Sequence, residues 1–160
     1  MNALVLYDSQ YGDTERIAQA IAGKLAEVGE VRAVRLDPRQ PVELQGVDAF
    51  IVGCPTQGWR PTPAIQFFLE EVSSEELGSV AGACFDTRFR LPRFVTGSAS
   101  KVMAEKLREK GTSLLVAPES FFVKGTEGPL RDGELERAST WARQIVDEVE
   151  ALRPASPRER

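Results

Sequence analysis

Histidine is absent from this 160-residue sequence, and cysteine is scarce. Without histidine, the chain has no Ser-His-Asp or Cys-His catalytic group and no zinc site with histidine ligands. The two cysteines, Cys54 and Cys84, each lie in an apolar stretch and are predicted to be reduced, buried packing residues. A transition-metal site is therefore not expected. If the protein carries out chemistry, we expect a bound cofactor to supply it.

Basic residues do not outnumber acidic ones in this sequence. The chain has 20 Lys and Arg against 24 Asp and Glu, a net charge of −4. A nucleic-acid-binding surface needs a basic face, so nucleic acid is not an expected partner. No apolar run approaches the ~20 residues of a membrane span, and the N-terminus has no basic segment ahead of a long apolar run. We therefore expect a cytoplasmic protein with no membrane insertion and no signal peptide.

The sequence does contain apolar runs of strand length that alternate with segments of helical periodicity, which is the pattern of a parallel α/β sheet. Strands are predicted at 3–7, 31–36, 49–54, 80–85 and 113–117, the last resuming at 121–123 after a break at Pro118. Helices are predicted at 13–28, 63–72, 98–110 and 133–152. The pattern predicts an α/β three-layer sandwich around a five-stranded parallel sheet. Residues 1–152 are expected to form one domain, and 153–160 a disordered tail.

Three loops follow the carboxyl ends of the first, third and fourth predicted strands. They are the first loop (8–14), the second loop (55–62) and the third loop (86–97). Ligands of open parallel sheets bind outside the carboxyl ends of the strands, where the strand order reverses. These loops are also the richest in glycine, hydroxyl groups and aromatic side chains. They are therefore predicted to form one binding site.

The first loop, DSQYGDT, joins a strand directly to the start of a helix. Backbone N–H groups and the helix dipole favour an anion there. Ser9 and Thr14 offer hydroxyl donors, and Gly12 permits a tight turn. The loop matches neither GxGxxG nor GxxxxGK[ST], which disfavours a dinucleotide fold and a nucleoside triphosphatase. A phosphate site and an ordinary helix start with Thr or Asp as N-cap both fit these residues.

The stretch SQYGDTERIAQAI resembles the loop with which flavodoxins bind the phosphate of FMN, whose pattern is roughly Ser/Thr-x-Thr/Tyr-Gly-Asn-Thr-Glu. GCPTQGWRPTP resembles their second flavin-contacting loop, which follows a buried strand that ends in a small residue. FDTRF falls where their third loop belongs. The resemblance extends to about Leu152. It implies a flavodoxin-like fold with strand order 2-1-3-4-5.

The resemblance also implies FMN as the cofactor, with no catalytic residue and no metal ligand supplied by the chain. The phosphate is expected on the first loop and the ring between the second and third loops. Gly58 is the residue expected to permit the peptide flip that the family makes toward reduced flavin. The cofactor-binding residues it implies are Ser9, Gln10, Tyr11, Gly12, Asp13, Thr14, Pro55, Thr56, Gln57, Gly58, Trp59, Arg60, Asp86, Thr87, Arg88 and Phe89.

The sequence departs from the family pattern in two places. Asp13 stands where flavodoxins usually have Asn; its carboxylate is expected to cap the helix and to oppose a phosphate by about 1 to 4 kcal/mol, partly offset by Arg16. In the second loop, Trp59 lies one residue beyond Gly58. Trp59 either stacks on the flavin ring or is a surface or interface aromatic. Phe89 and Phe94 fit a core or lid position at least as well as contact with the ring.

The resemblance implies an FMN-binding, low-potential electron carrier, expected to be a monomer or weak dimer that acts with a reductase as donor and a further redox protein as acceptor. Acidic surroundings lower the potential of a flavin. Four arginines oppose that tendency, or attract an anionic partner or a nicotinamide phosphate: Arg60, Arg88, Arg90 and Arg93.

Three other functions were compared with this one. An FMN-dependent NAD(P)H/quinone oxidoreductase has no residue pattern here that marks its second substrate, but it shares the fold. A flavodoxin-fold module that has lost FMN is favoured by Asp13. A phosphoacceptor receiver domain shares the architecture, but the third strand ends Gly53-Cys54-Pro55-Thr56, without the aspartate that accepts the phosphoryl group. The first two stay open, and the third is excluded.

Overall fold

The computed structural model describes residues 1–153, so the predicted tail lies outside the described residues except for Arg153. Six strands are present in this part of the chain: β1 (Asn2–Tyr7), β2 (Glu30–Arg35), β3 (Ala49–Pro55), β4 (Ala81–Phe89), β5 (Ser113–Leu114) and β6 (Glu119–Val123). The helices that it describes are α1 (Asp13–Leu25), α2 (Pro63–Glu71), α3 (Ser74–Leu77), α4 (Arg93–Thr96), α5 (Ala99–Glu109) and α6 (Glu134–Leu152).

The strands form one sheet in the order β2-β1-β3-β4-β5, which confirms the predicted order. Every pairing between these strands is parallel. β5 pairs with the start of β4, and β6 pairs with its end, from Phe85 to Phe89. The fifth position of the sheet is therefore filled by two short strands separated by the segment that contains Pro118. The break predicted at this proline is confirmed.

Alternation along the central strands divides the apolar residues between two cores, because successive strand side chains point to opposite faces. Leu4, Leu6 and Val52 pack against α2 and α5 on one face. Val5 and Ile51 pack against α1 and α6 on the other. Both faces of the sheet are thus covered, as in other parallel sheets. Cys54 and Cys84 are free and buried in the first of these cores, as predicted.

The apolar stripe of α1 explains its position against the sheet. Ile17, Ile21 and Leu25 recur at a spacing of four residues and are fully buried. The helix ends at Leu25 rather than at the predicted Val28, whose side chain is exposed. A turn follows the helix, and its Gly29 packs against the residue that precedes β1. Only glycine fits there, because a Cβ at Gly29 would lie 2.5 Å from the carbonyl oxygen of Met1.

The fourth strand differs most from the prediction. It continues to Phe89, so the first four residues of the third loop are in the sheet. The extension exists because β6 supplies backbone partners to this segment. Two one-turn helices, α3 and α4, were not predicted, since four residues are too few to show a helical period. Among the described residues, none of the helices combines the length and the apolar composition needed to cross a membrane.

Gly53 lies in β3 directly beneath an aromatic ring. A Cβ at this position would lie 2.1 Å from Cζ of Phe85, and that ring is held by edge contacts with Phe121 and Trp141, each 6.1 Å away between centroids. We expect Gly53→Ala to lower the free energy of unfolding by about 2 kcal/mol or more, measured by urea denaturation. Gly23→Ala in α1 is the matched control, because a Cβ there meets nothing within 4 Å; it should leave stability unchanged or raise it by up to about 1 kcal/mol. Equal losses of stability in both variants would show that the ring of Phe85 does not exclude a side chain at position 53.

Candidate functional site

A cavity of about 430 Å³ lies among the three loops, which is within the range of about 300 to 1,000 Å³ common for small-molecule sites. Most of the predicted cofactor-binding residues line it: Gln10, Tyr11, Asp13, Thr14, Pro55, Thr56, Gln57, Gly58, Trp59, Thr87, Arg88 and Phe89. The remaining four do not: Ser9, Gly12, Arg60 and Asp86. The structure therefore brings the three loops together around one space, and leaves four of the predicted residues outside its lining.

Further lining residues were not predicted: Leu91, Val95, Thr96, Val123 and Thr126. Val95 and Thr96 belong to α4, the one-turn helix within the third loop. Val123 and Thr126 lie at and just after the end of β6. Because β6 is parallel to β4, its carboxyl end reaches the same edge of the sheet. That signal was present in the sequence, since the predicted fifth strand resumes at 121–123.

The first loop presents unpaired donors at the start of α1. Gly12 adopts a left-handed conformation with φ 94°, and the Oγ of Ser9 accepts the N–H groups of Gly12 at 3.1 Å and Glu15 at 3.4 Å. Four other backbone N–H groups have no hydrogen-bond partner among residues 1–153: those of Gln10, Tyr11, Asp13 and Thr14. Such groups, at the positive end of the helix dipole, are suited to an anion.

The acidity of the first loop is offset by a base that the sequence pattern did not reveal. The guanidinium of Arg35, at the end of β2, donates a hydrogen bond to the carbonyl oxygen of Ser9. The hydroxyl of Tyr7 donates to the carboxylate of Glu15 at 2.9 Å. Burial, and then this hydrogen bond, raise the pKa of Tyr7. Arg35 was missed because it lies 26 residues away in the sequence and reaches the loop only through the pairing of β2 with β1.

Asp13 does not cap α1, contrary to the expectation from the sequence: the N-cap residue is Gly12, and the side chain that accepts a first-turn N–H is Ser9, through its hydrogen bond with Glu15. Its carboxylate lies instead against Gly128: a Cβ at Gly128 would be 2.5 Å from Oδ2 of Asp13. Burial raises the pKa of Asp13, and the nearby charge of Arg16 lowers it. Because Asp13 leaves the backbone N–H groups unoccupied, the helix N-terminus stays available to another anion.

The second loop contains a tight turn that projects Trp59. Gln57 and Arg60 exchange backbone hydrogen bonds of 2.8 and 3.0 Å, and both intervening residues have positive φ, Gly58 at 54° and Trp59 at 66°. Positive φ at both central positions defines a type I′ turn, and it is strained for a residue with a bulky side chain. The indole Nε1 of Trp59 donates to the carbonyl oxygen of Val95 at 2.8 Å. This hydrogen bond joins the second loop to the third.

The first and second loops are joined in the same way. Nε2 of Gln57 donates to Oε1 of Gln10 at 2.8 Å. Deeper in the cavity, the hydroxyl groups of Thr14 and Thr87 lie 2.8 Å apart and link α1 to β4. The three loops therefore hold each other around the cavity.

The third loop is anchored by two charged residues at the end of β4. Asp86 is fully buried, and its Oδ2 accepts the hydroxyl of Ser98 at 2.8 Å and the N–H of Ser100 at 2.9 Å. Nε of Arg88 lies 3.9 Å from Oδ1 of Asp86 and donates to Oγ of Ser120 at 2.9 Å. Its Nη1 donates to the carbonyl oxygen of Leu91 at 2.7 Å. Asp86 and Arg88 thus fix the start and the end of the loop.

A family model of flavodoxins matches residues 5–141. The chain belongs to the flavodoxin family. No curated protein sequence matches this flavodoxin-family chain significantly.

Solved structures show the same fold. Oxidised flavodoxin 2 from Bacillus cereus is 24% identical with a TM-score of 0.76, and the match covers 92% of this chain and 99% of that one. A flavodoxin from the domain Archaea is 23% identical with a TM-score of 0.71, covering 94% and 99%. Rubredoxin oxygen:oxidoreductase from Desulfovibrio gigas is 21% identical with a TM-score of 0.72, covering 94% of this chain but only 36% of that one. The fold therefore occurs both alone and within a longer oxidoreductase.

We expect the third loop of this flavodoxin-family chain to depend on the buried carboxylate of Asp86. Asp86→Ala leaves the N–H of Ser100 and the guanidinium of Arg88 without their buried partner, which should cost about 3 to 5 kcal/mol of stability. Trypsin should then cleave faster after Arg90 and Arg93. Ser98→Ala is the control, because it keeps the carboxylate; it removes the hydrogen bonds of the Ser98 hydroxyl with Asp86 and Ser100 and should cost about 1 to 2 kcal/mol. Urea denaturation and timed digestion measure both effects. Asp86→Ala with the stability and digestion rate of Ser98→Ala would show that the carboxylate does not hold the loop.

Proposed function

We propose that the protein binds FMN in this cavity and carries electrons between redox proteins. The observation that supports this most strongly is the set of unpaired N–H groups in the first loop, which faces a cavity of ligand size. The phosphate of FMN would accept hydrogen bonds from the N–H groups of Gln10, Tyr11, Asp13 and Thr14. Such hydrogen bonds to a charged group are among the stronger ones in proteins. Membership of the flavodoxin family supports the same cofactor.

The second and third loops would hold the flavin ring. The lining surface of the cavity is mostly apolar, and Pro55, Trp59 and Phe89 contribute to it from these loops. FMN, when bound, supplies reversible electron transfer through its ring. An apolar lining disfavours added negative charge, so it would lower the reduction potential of the bound cofactor and fit a low-potential carrier. The residues of the chain would bind the cofactor, orient it and exclude water from it.

We expect FMN to bind much more tightly than riboflavin, because riboflavin lacks the phosphate that the first loop would hold. The affinity ratio should reach about a hundredfold or more, given about 1.5 to 3 kcal/mol for each hydrogen bond to a charged group. Titration of each flavin into apoprotein, followed by quenching of flavin fluorescence, measures this ratio. Equal affinities would contradict a phosphate site in the first loop, and no quenching with either flavin would support a module that has lost FMN.

Asp13 should weaken FMN binding through its charge. Asp13→Asn is expected to raise the affinity about fivefold to tenfold at neutral pH, because it removes a negative charge close to the phosphate. The pKa of Asp13 is raised, so the side chain gains its proton as the pH falls toward that pKa. The affinity of the wild type should therefore approach that of Asp13→Asn as the pH is lowered. Titrating both proteins over the same pH series cancels the titration of FMN itself. A constant affinity ratio across the series would show that the carboxylate does not act on the phosphate.

The FMN-dependent reductase is the second candidate. It is distinguished from a carrier by steady oxidation of NADPH or NADH with a quinone, measured on the FMN-loaded protein at 340 nm. A carrier would show FMN binding without such turnover.

A further inference from the structure

Around the mouth of the cavity, large apolar side chains face solvent. Phe94 is 85% exposed and Trp59 is 59% exposed. Three further apolar residues are exposed beside them on the third loop: Phe89, Leu91 and Val95. We call these five residues the apolar rim. Exposed apolar patches of this kind mark interaction surfaces, because burying them on a partner is favourable.

The charges next to the apolar rim have one sign. Arg60, Arg90 and Arg93 are exposed, and their guanidinium groups form no ion pair or side-chain hydrogen bond with any residue of the described range 1–153. Residues 55–69 and 87–104 contain no Asp or Glu, although the whole chain carries a net charge of −4. The surface that these two segments form is therefore basic on an acidic protein.

The two segments that carry these arginines form one surface. The indole of Trp59 is hydrogen-bonded to the carbonyl oxygen of Val95, and Trp59 forms a backbone bridge with Gly97. A Cβ at Gly97 would lie 2.5 Å from Cα of Trp59, so the backbones are in direct contact. The segment that carries Arg60 is thereby in direct contact with the segment that carries Arg93. An interface that is already ordered loses less entropy on binding.

We propose that this basic apolar rim is the docking surface for an acidic redox protein. The inference rests on the proposed function, and it names the chemistry of the partner. Tryptophan and arginine are the residues that contribute most at protein interfaces, and here they are adjacent. A nicotinamide dinucleotide also carries negative charge, but it is too small to cover a side chain as exposed as Phe94 together with the rest of the apolar rim. A protein surface covers both the apolar residues and the arginines.

A basic docking surface on an acidic protein has a kinetic effect that net charge alone would not give. If net charge governed association, this acidic protein would repel an acidic partner, and added salt would speed their reaction by screening the repulsion. If the basic rim governs it, the two attract, and added salt slows the reaction. The sign of the salt dependence therefore separates the local surface from the whole molecule.

The experiment uses the FMN-loaded protein, reduced with stoichiometric dithionite, and mixes it in a stopped-flow instrument with oxidised plastocyanin, an acidic copper protein. Each plastocyanin takes one electron from the reduced flavin, and its Cu(II) becomes Cu(I). Cytochrome c, a basic haem protein, is the opposite probe. The test variant is Arg90→Glu with Arg93→Glu. The control is Arg39→Glu with Arg143→Glu, which makes the same change in net charge at exposed residues that do not line the cavity.

We expect the plastocyanin rate constant of the wild type to fall with added salt, and the test variant to lower it about tenfold or more at low salt. The control should change it by less than about twofold. The test variant should also react faster with cytochrome c.

A wild-type rate that rises with salt, or test and control variants that behave alike, would overturn the proposal. So would a test variant that keeps its plastocyanin rate but is reduced more slowly by NADPH, since the arginines would then bind a nucleotide. Flavin absorbance of each purified variant is recorded first; a wild type without FMN would overturn the proposed function instead.

Discussion

Parallel alignment of β1, β3 and β4 is the constraint on which the rest of this structure depends. Parallel strands leave the sheet at the same edge, so three chain segments that are far apart in sequence emerge side by side there. β6 pairs with β4 along Phe85–Phe89. Because of this pairing, β4 stays in the sheet as far as Phe89. The cavity lies where these segments separate from the sheet. Its walls are therefore loops, while its floor is fixed by the backbone hydrogen bonds of the strands.

The loops around the cavity are ordered by polar contacts rather than by apolar packing. Asp86 is completely buried and connects the end of β4 to the start of α5. Arg88 connects the same strand to Ser120 in β6 and to Thr96 at the far side of the third loop. A buried charge without a partner is costly, so these contacts select one arrangement of the loop. Trp59, held at positive φ, is kept in place by its hydrogen bond to the third loop. The strain is located at the cavity, where it positions an exposed ring.

Charge is distributed unevenly over the site. The first loop carries carboxylates, and Asp13 turns away from the helix N-terminus toward Gly128. The second and third loops carry only basic residues among their charged exposed side chains. In the first loop, a phosphate would be attracted mainly by the backbone N–H groups. At the mouth of the cavity, the arginines of the second and third loops attract an anionic surface strongly. The phosphate of the proposed cofactor is assigned to the first loop, and the proposed partner to the second and third loops, which would also hold the flavin ring.

The sequence by itself determined the alternation of strands and helices, the burial of both cysteines and the break at Pro118, because these depend on local apolar pattern and on proline. The sequence also located the three loops, because each one follows a predicted parallel strand and parallel strands end at the same edge of the sheet. Tertiary structure alone decided which residues meet there. Arg35 reaches Ser9 only because β2 pairs with β1, and Val123 and Thr126 reach the cavity only because β6 extends beside β4. It also decided that Asp86 is buried and that Trp59 is exposed. A sequence pattern records the polarity of each residue, but the direction of a loop side chain depends on contacts with distant segments.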